Sequence, residues 1–333
     1  MKTTISKSNV AYAGPSSSRV YHLKSFWKRF KRQKTMQIFV LCGMVSLLLF
    51  HYLPMFGILM AFKKYKISDG IGGMFTNEWV GLKYFVEFFN SYTFENIVVN
   101  TLAISLLKLV FTFPAPILLA LILNEVRNGV FKRVAQTASY IPHFISWVVV
   151  AGLVSVFLSE SNGIVNDLLK GIGLTRDSLP FLSSPNYFWG LAIGSAMWKE
   201  TGWWAIIFLA AVSGINPALY EAAQIDGAGR LRRIWHISLP GIRGTIIVVL
   251  ILALGSLLGG GLVGSNFEQS FLLGNPVNSD RSEILQTYAF RVGLSQGRYS
   301  FATAIDLLQS VISICLILGS NWLAKKTTKM GLF

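Results

Sequence analysis

Charge is scarce in this sequence. Only 14% of the 333 residues are charged and 53% are hydrophobic, whereas soluble domains have about 25% charged residues. The shortage argues against a soluble protein and indicates a membrane protein. Six apolar stretches are each long enough to cross a bilayer, which takes about 20 residues: 36–62, 96–124, 134–158, 178–220, 244–267 and 307–324. None alternates as barrel strands do, so we predict an all-α polytopic membrane protein with six transmembrane helices.

Cysteine and the usual catalytic motifs are also scarce. The two cysteines, Cys42 and Cys315, fall inside predicted spans, where small apolar packing is expected rather than a disulfide or a metal site. The sequence has no HExxH motif and no paired-carboxylate or nucleophile constellation within its spans, so nothing in it indicates an enzyme. The G-x-x-x-x-G-K-[ST] phosphate loop is missing as well. We therefore predict that the chain has no ATPase site, cofactor or metal of its own.

Acidic residues are almost missing from one set of connecting segments. Segments 1–35, 125–133, 214–243 and 325–333 contain 19 basic and three acidic residues, whereas 63–95, 159–186 and 265–298 contain nine basic and ten acidic residues. Positively charged loops stay in the cytoplasm, so both termini are predicted to be cytoplasmic. Residues 1–35 do not have the pattern of a cleaved signal peptide. We interpret them as a basic cytoplasmic tail that contacts anionic lipid and not nucleic acid.

A compact polar segment, 221–240, lies between two of the apolar stretches. Asn216 and Pro217 form a favourable helix start, and Gly227 allows a left-handed turn that ends this helix. A second helix then has apolar residues at helical spacing up to Pro240. Small residues form one stripe of the first helix: Ala222, Ala223 and Gly227. The stripe fits a groove on another protein, but the residues alone are equally consistent with a helix lying on lipid headgroups.

Several motifs favour the groove. The spacing E-A-A, three residues, G, nine residues, I, one residue, L-P resembles the signature cytoplasmic loop of the membrane subunits of bacterial ATP-binding-cassette (ABC) importers. The stretches "NTLAIS", "YIPHFISWVV", "WKETGWWAIIFLAA" and "SNFEQSFLLGNP" resemble the carbohydrate-uptake (maltose-type) branch, closest to permeases for oligosaccharides such as aldouronates or alginate. The resemblance implies a type I ABC importer permease fold over 36–333.

The resemblance also implies partners and a mechanism. In this family the loop, here 214–243, forms a coupling helix that docks in a cleft of a separate ATPase subunit. Matched onto this chain, the coupling residues are Glu221, Ala222, Ala223, Asp226, Gly227, Ile237, Leu239 and Pro240. ATP and Mg would be bound by two partner ATPase subunits. A second permease subunit of different sequence, an extracytoplasmic solute-binding protein and the lipid of a bacterial cytoplasmic (inner) membrane complete the implied setting.

The implied activity is import of an oligo- or polysaccharide, acidic saccharides included, by alternating access. An alternative from another class is a secondary transporter driven by protons or sodium, which would depend on Asp306 or Glu200. That alternative does not need the 221–240 spacing.

Four charged residues fall inside the predicted spans: Lys108, Lys199, Glu200 and Asp306. Such residues are costly in lipid and usually face a bundle interior or a cavity. We expect structural pairing or snorkelling for the two lysines. The acidic residues could line a cavity or relay protons.

Aromatic platforms with nearby polar groups suit sugar rings. The residues expected along the substrate pathway are Trp198, Glu200, Trp203, Asn266 and Gln269. The last two lie in a segment that we place on the outer side, where a binding protein could dock.

The glycines between Gly259 and Gly264 satisfy G-x-G-x-x-G. They lie in an apolar span without a preceding strand, so a dinucleotide site is not expected. Close helix packing or a kink near the outer end of this span is the predicted role.

Overall fold

The computed structural model describes residues 33–261 and 264–328. Within these residues all regular structure is helical, and extended pairing is limited to one isolated bridge between Lys63 and Trp79. The predicted all-α class is confirmed for this part of the chain. The described residues fall into two compact units, which divide between Gly57 and Ile58. The predicted tail 1–35 lies almost entirely outside the described residues, as does 329–333.

The described part of the first unit is one helical segment. Helix α1 (Lys34–Leu47) continues into a π-helical turn (Leu48–Tyr52) and a short α-helical turn (Leu53–Met55). Pro54 accounts for the wider turn, because proline has no N–H for the carbonyl four residues before it. Along the chain a 3-10 segment, Phe56–Phe62, follows. The stretch Lys34–Phe62 is long and apolar enough to cross a bilayer.

The second unit contains the remaining helices. Its main α-helices, in chain order, are α2 (Gly70–Thr76), α3 (Lys83–Phe89), α4 (Phe94–Phe111), α5 (Pro114–Asn124), α6 (Gly129–Tyr140), α7 (Trp147–Phe157), α8 (Ile164–Gly171), α9 (Pro185–Ser213), α10 (Pro217–Ile225), α11 (Arg230–Arg233), α12 (Arg243–Gly255), α13 (Asn266–Leu273), α14 (Leu285–Phe290) and α15 (Tyr299–Thr328). Short 3-10, α- and π-helical turns lie between them: Ile67–Asp69, Ile141–Phe144, Ile234–Ser238, Leu239–Gly241, Ser279–Ser282 and Arg291–Ser295.

Membrane-crossing candidates are of two kinds in the described residues. Besides Lys34–Phe62, the stretches Phe94–Asn124 and Tyr299–Thr327 are long and apolar enough by themselves. Three further candidates are pairs of helices bent by 102°, 74° and 63°: Gly129–Phe144 with Trp147–Phe157, Pro185–Ser213 with Pro217–Ile225, and Arg230–Gly241 with Arg243–Gly255. The number of spans is therefore three, or up to six if each bent pair is one span.

Three predicted spans are wrong in their extent, for local reasons. The stretch 134–158 is broken because Pro142 lacks an N–H and because Ser146 caps a new helix by accepting the Val149 N–H. The stretch 178–220 is helical from Pro185 to Ser213 and then turns into α10. The stretch 244–267 loses its helix after Gly255.

A glycine-rich stretch follows the end of α12 at Gly255. A Cβ at Gly255 would lie 2.8 Å from Ile317 Cδ1, so glycine lets α12 approach α15 closely. Gly260 and Gly264 have φ of +88° and +93°, which favours glycine over any L side chain. The expected close packing and break are confirmed, although Leu262 and Val263 lie outside the described residues.

The largest apolar cluster joins α5 to α9. It contains Ile117, Ala120, Leu121 and Leu123 from α5 and Ala205, Phe208, Leu209 and Val212 from α9. Ile215, Ile234 and Leu239, which belong to segment 214–243, pack against this cluster. The apolar core therefore holds that segment beside the end of α5.

Cys42 and Cys315 are free thiols and are exposed rather than packed.

Candidate functional site

Helix α10 has the ends that its sequence predicts. Asn216 accepts the Ala218 N–H at 3.0 Å, and Pro217 occupies the first turn. At the other end the Ala228 N–H bonds to the Ala223 carbonyl at 2.8 Å, and the Gly227 N–H bonds to the Gln224 carbonyl at 3.1 Å. Gly227 has φ of +72°. This pair of bonds is the Schellman arrangement, which needs a left-handed residue where Gly227 stands.

The residues of the E-A-A stretch lie at the surface of the second unit. Glu221, Ala222, Asp226 and Gly227 are exposed, and Ala223 is half-buried. The side chains of Glu221 and Asp226 form no ion pair or hydrogen bond with any described residue. A Cβ at Gly227 would meet nothing within 4 Å in this chain. The surface is therefore free to be contacted by another protein.

The second half of the segment is one continuous but irregular helix. Helix α11 passes through the π-helical turn Ile234–Ser238 into the turn Leu239–Gly241. Ile237 and Leu239 are half-buried, whereas Pro240 is exposed. The expectation that Pro240 ends this helix is wrong, because the turn continues to Gly241 before a 63° bend into α12. The wider π turn bridges the position where proline lacks its N–H.

A buried ion pair attaches this segment to α5. Arg233 Nη2 lies 2.5 Å from Glu125 Oε2, with the two side chains 14% and 10% exposed. Glu125 directly follows α5, and the two residues are 108 positions apart. The pair is not predicted from the sequence. The one signal for it is weak, since Glu125 is merely one of three acidic residues in the strongly basic connecting segments.

A second contact ties the two halves of the segment together. Tyr220 Oη and Ser238 Oγ lie 2.9 Å apart, and a Cβ at Gly241 would lie 2.5 Å from Ile215 Cδ1. These contacts link α10 to the second half of the segment.

Lys108 lies at the centre of a buried polar network. It is fully buried, and its ammonium donates to Asn266 Oδ1 at 2.8 Å, to Gln269 Oε1 and to the Gly264 carbonyl. The expected structural partnering is confirmed, but the partners are neutral oxygens rather than a carboxylate. The network joins α4 to Gly264 and to the first residues of α13.

Asn266 and Gln269 are buried rather than presented for docking. Each is only 1% exposed. The Asn266 amide donates to Ser105 Oγ at 3.0 Å, and the Gln269 amide donates to Ser195 Oγ and the Ala192 carbonyl, both at 2.8 Å. Both side chains are fully engaged by the protein in this conformation. A role in the substrate pathway stays a prediction for them.

Glu200 belongs to a second polar cluster. Its Oε2 lies 2.8 Å from His143 Nδ1, and its Oε1 lies 3.8 Å from Lys199 Nζ. Lys199 also donates to the His143 carbonyl. The His143 ring stacks on Trp203 at 4.5 Å and 2°. The expected pairing of Lys199 is confirmed. Sequence spacing gives no signal for His143, because its partner is 57 residues away.

Trp198 lies apart from this cluster. It is 49% exposed and lines an apolar groove of about 400 Å³ with residues of α7 and α9, among them Val150, Val154, Phe157 and Leu191. The structure therefore does not bring the five predicted pathway residues to one place. Glu200 and Trp203 share a cluster through His143, and Asn266 and Gln269 share the Lys108 network.

Comparison with known proteins relates this arrangement to a transport family. Residues 112–329 match the family described as binding-protein-dependent transport system inner membrane component. Protein LplB of Bacillus subtilis (strain 168) is 45% identical over 309 residues, covering 93% of this chain and 94% of that protein. The polygalacturonan/rhamnogalacturonan transport system permease protein YteP of the same organism is 43% identical over 302 residues, covering 91% of each.

Two solved structures have the same fold. One is a bacterial ABC transporter involved in the import of the acidic polysaccharide alginate, with a TM-score of 0.81, 41% identity, and coverage of 91% of this chain and 99% of that one. The other is a bacterial alginate ABC transporter in complex with an alginate pentasaccharide-bound periplasmic protein, with a TM-score of 0.81 and 40% identity. It covers 92% of this chain and 99% of that one.

Proposed function

The chain belongs to the family of binding-protein-dependent transport system inner membrane components, and we propose that it carries a uronate-containing oligosaccharide across a bacterial cytoplasmic membrane. It is the permease subunit of a carbohydrate ABC importer. The acidic cargo is supported by two similar proteins, one described as a polygalacturonan/rhamnogalacturonan permease and one as an alginate importer. The similarity to both over more than 90% of this chain carries the proposal.

The proposed topology has six spans, with each bent pair of helices counted as one. Both termini and segment 214–243 face the cytoplasm. The support is the charge asymmetry, since 19 basic residues lie on that side against nine on the other.

The proposed mechanism is mechanical coupling. Two partner ATPase subunits bind ATP and Mg, and α10 docks in a cleft of one of them through its exposed residues, Glu221 on the helix and Gly227 just after it. Closure of the ATPase pair moves α10, and the contacts Tyr220–Ser238 and Arg233–Glu125 pass that motion to α12 and α5. A second permease chain completes the pathway, and an extracytoplasmic solute-binding protein delivers the cargo from the other side.

The test uses the transporter complex reconstituted in lipid with its partner subunits and binding protein. Glu221→Lys reverses a charge, and Gly227→Trp puts a bulky side chain on a left-handed residue. Both should abolish cargo-stimulated ATP hydrolysis while the chain still inserts in the membrane. The matched control is Glu160→Lys, the same charge reversal at an exposed residue in a different segment. Unchanged stimulation in both coupling variants would refute the proposal, as would uptake that survives without ATP and stops with an ionophore.

A further inference from the structure

Helix α15 contains an acidic side chain, Asp306, without a partner. The residues that the structure describes form no ion pair or hydrogen bond with its carboxylate, which is exposed. The stretch Tyr299–Thr327 is apolar and long enough to cross a bilayer, and Asp306 lies about 10 Å along it at 1.5 Å per residue. A single charge at such depth is costly unless it faces a polar cavity or a partner.

Asp306 does face a cavity. The cavity has a volume of about 570 Å³, within the range of about 300–1,000 Å³ that small-molecule sites have. One wall is a polar stripe of α15 consisting of Thr303, Asp306, Gln309 and Ser310. Positions 303, 306 and 310 have the spacing of one helical face. The opposite wall includes Phe267, Gln286 and Phe290.

Three polar groups of the α15 wall, at Thr303, Asp306 and Ser310, are hydrogen-bond acceptors. Thr303 Oγ1 donates to the Tyr299 carbonyl at 2.8 Å, and Ser310 Oγ donates to the Asp306 carbonyl at 2.9 Å. A hydroxyl has one hydrogen to donate and two lone pairs, so both hydroxyls have only acceptor capacity left. An ionised carboxylate accepts only. A ligand that contacts these three groups therefore has to donate hydrogen bonds to them, whereas the amides of Gln286 and Gln309 can both donate and accept.

The opposite wall adds an apolar requirement. The rings of Phe267 and Phe290 lie 5.4 Å apart at 64°, and their faces suit flat C–H surfaces. A sugar ring combines such a surface with an edge of donating hydroxyls. A ring carboxylate would instead meet the like charge of Asp306.

We propose that this cavity is a saccharide subsite that holds the hydroxyl-bearing edge of one cargo ring, with Asp306 as the main acceptor. Any carboxylate of that ring points away from α15. The subsite rests on the proposed function, since it requires a saccharide cargo. Within this subsite, Asp306 selects the orientation in which the cargo ring binds.

Uptake kinetics test the subsite. The reconstituted complex is assayed with trisaccharides prepared from polygalacturonate and from alginate. Asp306→Asn should raise KM roughly tenfold with little change in kcat, because a hydrogen bond to a charged acceptor becomes a weaker bond to a neutral amide oxygen. Asp167→Asn, the same change at an exposed carboxylate on α8, should leave KM unchanged. Equal KM values for the two variants would overturn the subsite but not the proposed function. A wild-type complex without ATP-dependent uptake would overturn the proposed function, and the subsite with it.

Direct occupancy gives a second readout. Leu294→Cys places a thiol at the cavity, where this side chain is 58% exposed, and Leu168→Cys is a control at 62% exposure. Both are made with Cys42→Ala and Cys315→Ala and labelled with an uncharged maleimide in lipid nanodiscs. The trisaccharides should slow labelling only at position 294, and Asp306→Asn should abolish this protection. Protection by sodium or potassium chloride alone would overturn the proposal in favour of a cation site. Loss of the second permease chain from the Asp306→Asn complex would overturn it in favour of a subunit contact.

Discussion

Neutralising Glu125 is expected to weaken the attachment of segment 214–243 to α5. The carboxylate lies 2.5 Å from Arg233, and the two side chains are only 10% and 14% exposed. Glu125→Gln keeps the shape of the side chain but leaves the guanidinium with a neutral partner. The Nε of Arg233 is already buried without a hydrogen bond, so little compensation is available.

The expected size follows from burial. Breaking a fully buried ion pair costs about 3–5 kcal/mol, because the remaining charge is stranded. Partial exposure of both side chains lets some water in, so we expect about 2–3 kcal/mol here. The pair Glu87–Arg298 offers a matched comparison on the same chain, since its side chains are 40% and 41% exposed. Glu87→Gln should cost no more than about 1 kcal/mol.

The assay is denaturant or thermal unfolding of the complex in nanodiscs, followed as a double-mutant cycle with Arg233→Met. The double variant should be more stable than the sum of the two single losses predicts, because it has no stranded charge. Its ratio of cargo moved to ATP hydrolysed should still fall, since the link to α5 is gone. Equal losses for Glu125→Gln and Glu87→Gln, or additive single effects at positions 125 and 233, would refute the reasoning.

Two further predictions concern glycines whose neighbours leave no room. Gly202→Ala should destabilise the chain by more than about 2 kcal/mol, because its Cβ would overlap a backbone carbonyl of α6. The control is Gly194→Ala on the same helix, where a Cβ meets nothing within 4 Å. This variant should gain up to about 1 kcal/mol of stability from helix propensity. Unfolding midpoints in nanodiscs check the pair, and equal midpoints would contradict the packing. Gly260→Ala should disrupt the turn after α12, because its Cβ would overlap the Gly264 carbonyl oxygen. Gly297→Ala has a similar positive φ in open space and should cost only about 1–2 kcal/mol. Limited proteolysis of the two variants compares the loops, and a Gly260→Ala chain as resistant as the wild type would argue against this geometry.

Local features of this protein could be predicted from the sequence because they depend on neighbouring residues. The cap at Asn216 and the left-handed turn at Gly227 require only residues within one helical turn, and the structure has both. Membrane character follows from composition, and the resemblance of segment 221–240 to the ABC-importer loop follows from spacing within 20 residues. The extents of the spans at 134–158 and 244–267 were wrong, because apolar composition does not register where Pro142 or a run of glycines ends a helix.

Only the tertiary structure decided which distant side chains meet. The partner of Arg233 is 108 residues away, that of Glu200 is 57 away, and Lys108 meets Asn266 from 158 away. Such contacts depend on how α4, α5 and α9 cross one another, and the periodicity of one helix contains no information on the face of another. The sequence by itself therefore determined the helical class, the membrane character and the polar segment 214–243. Packing between helices determined how that segment is attached to α5.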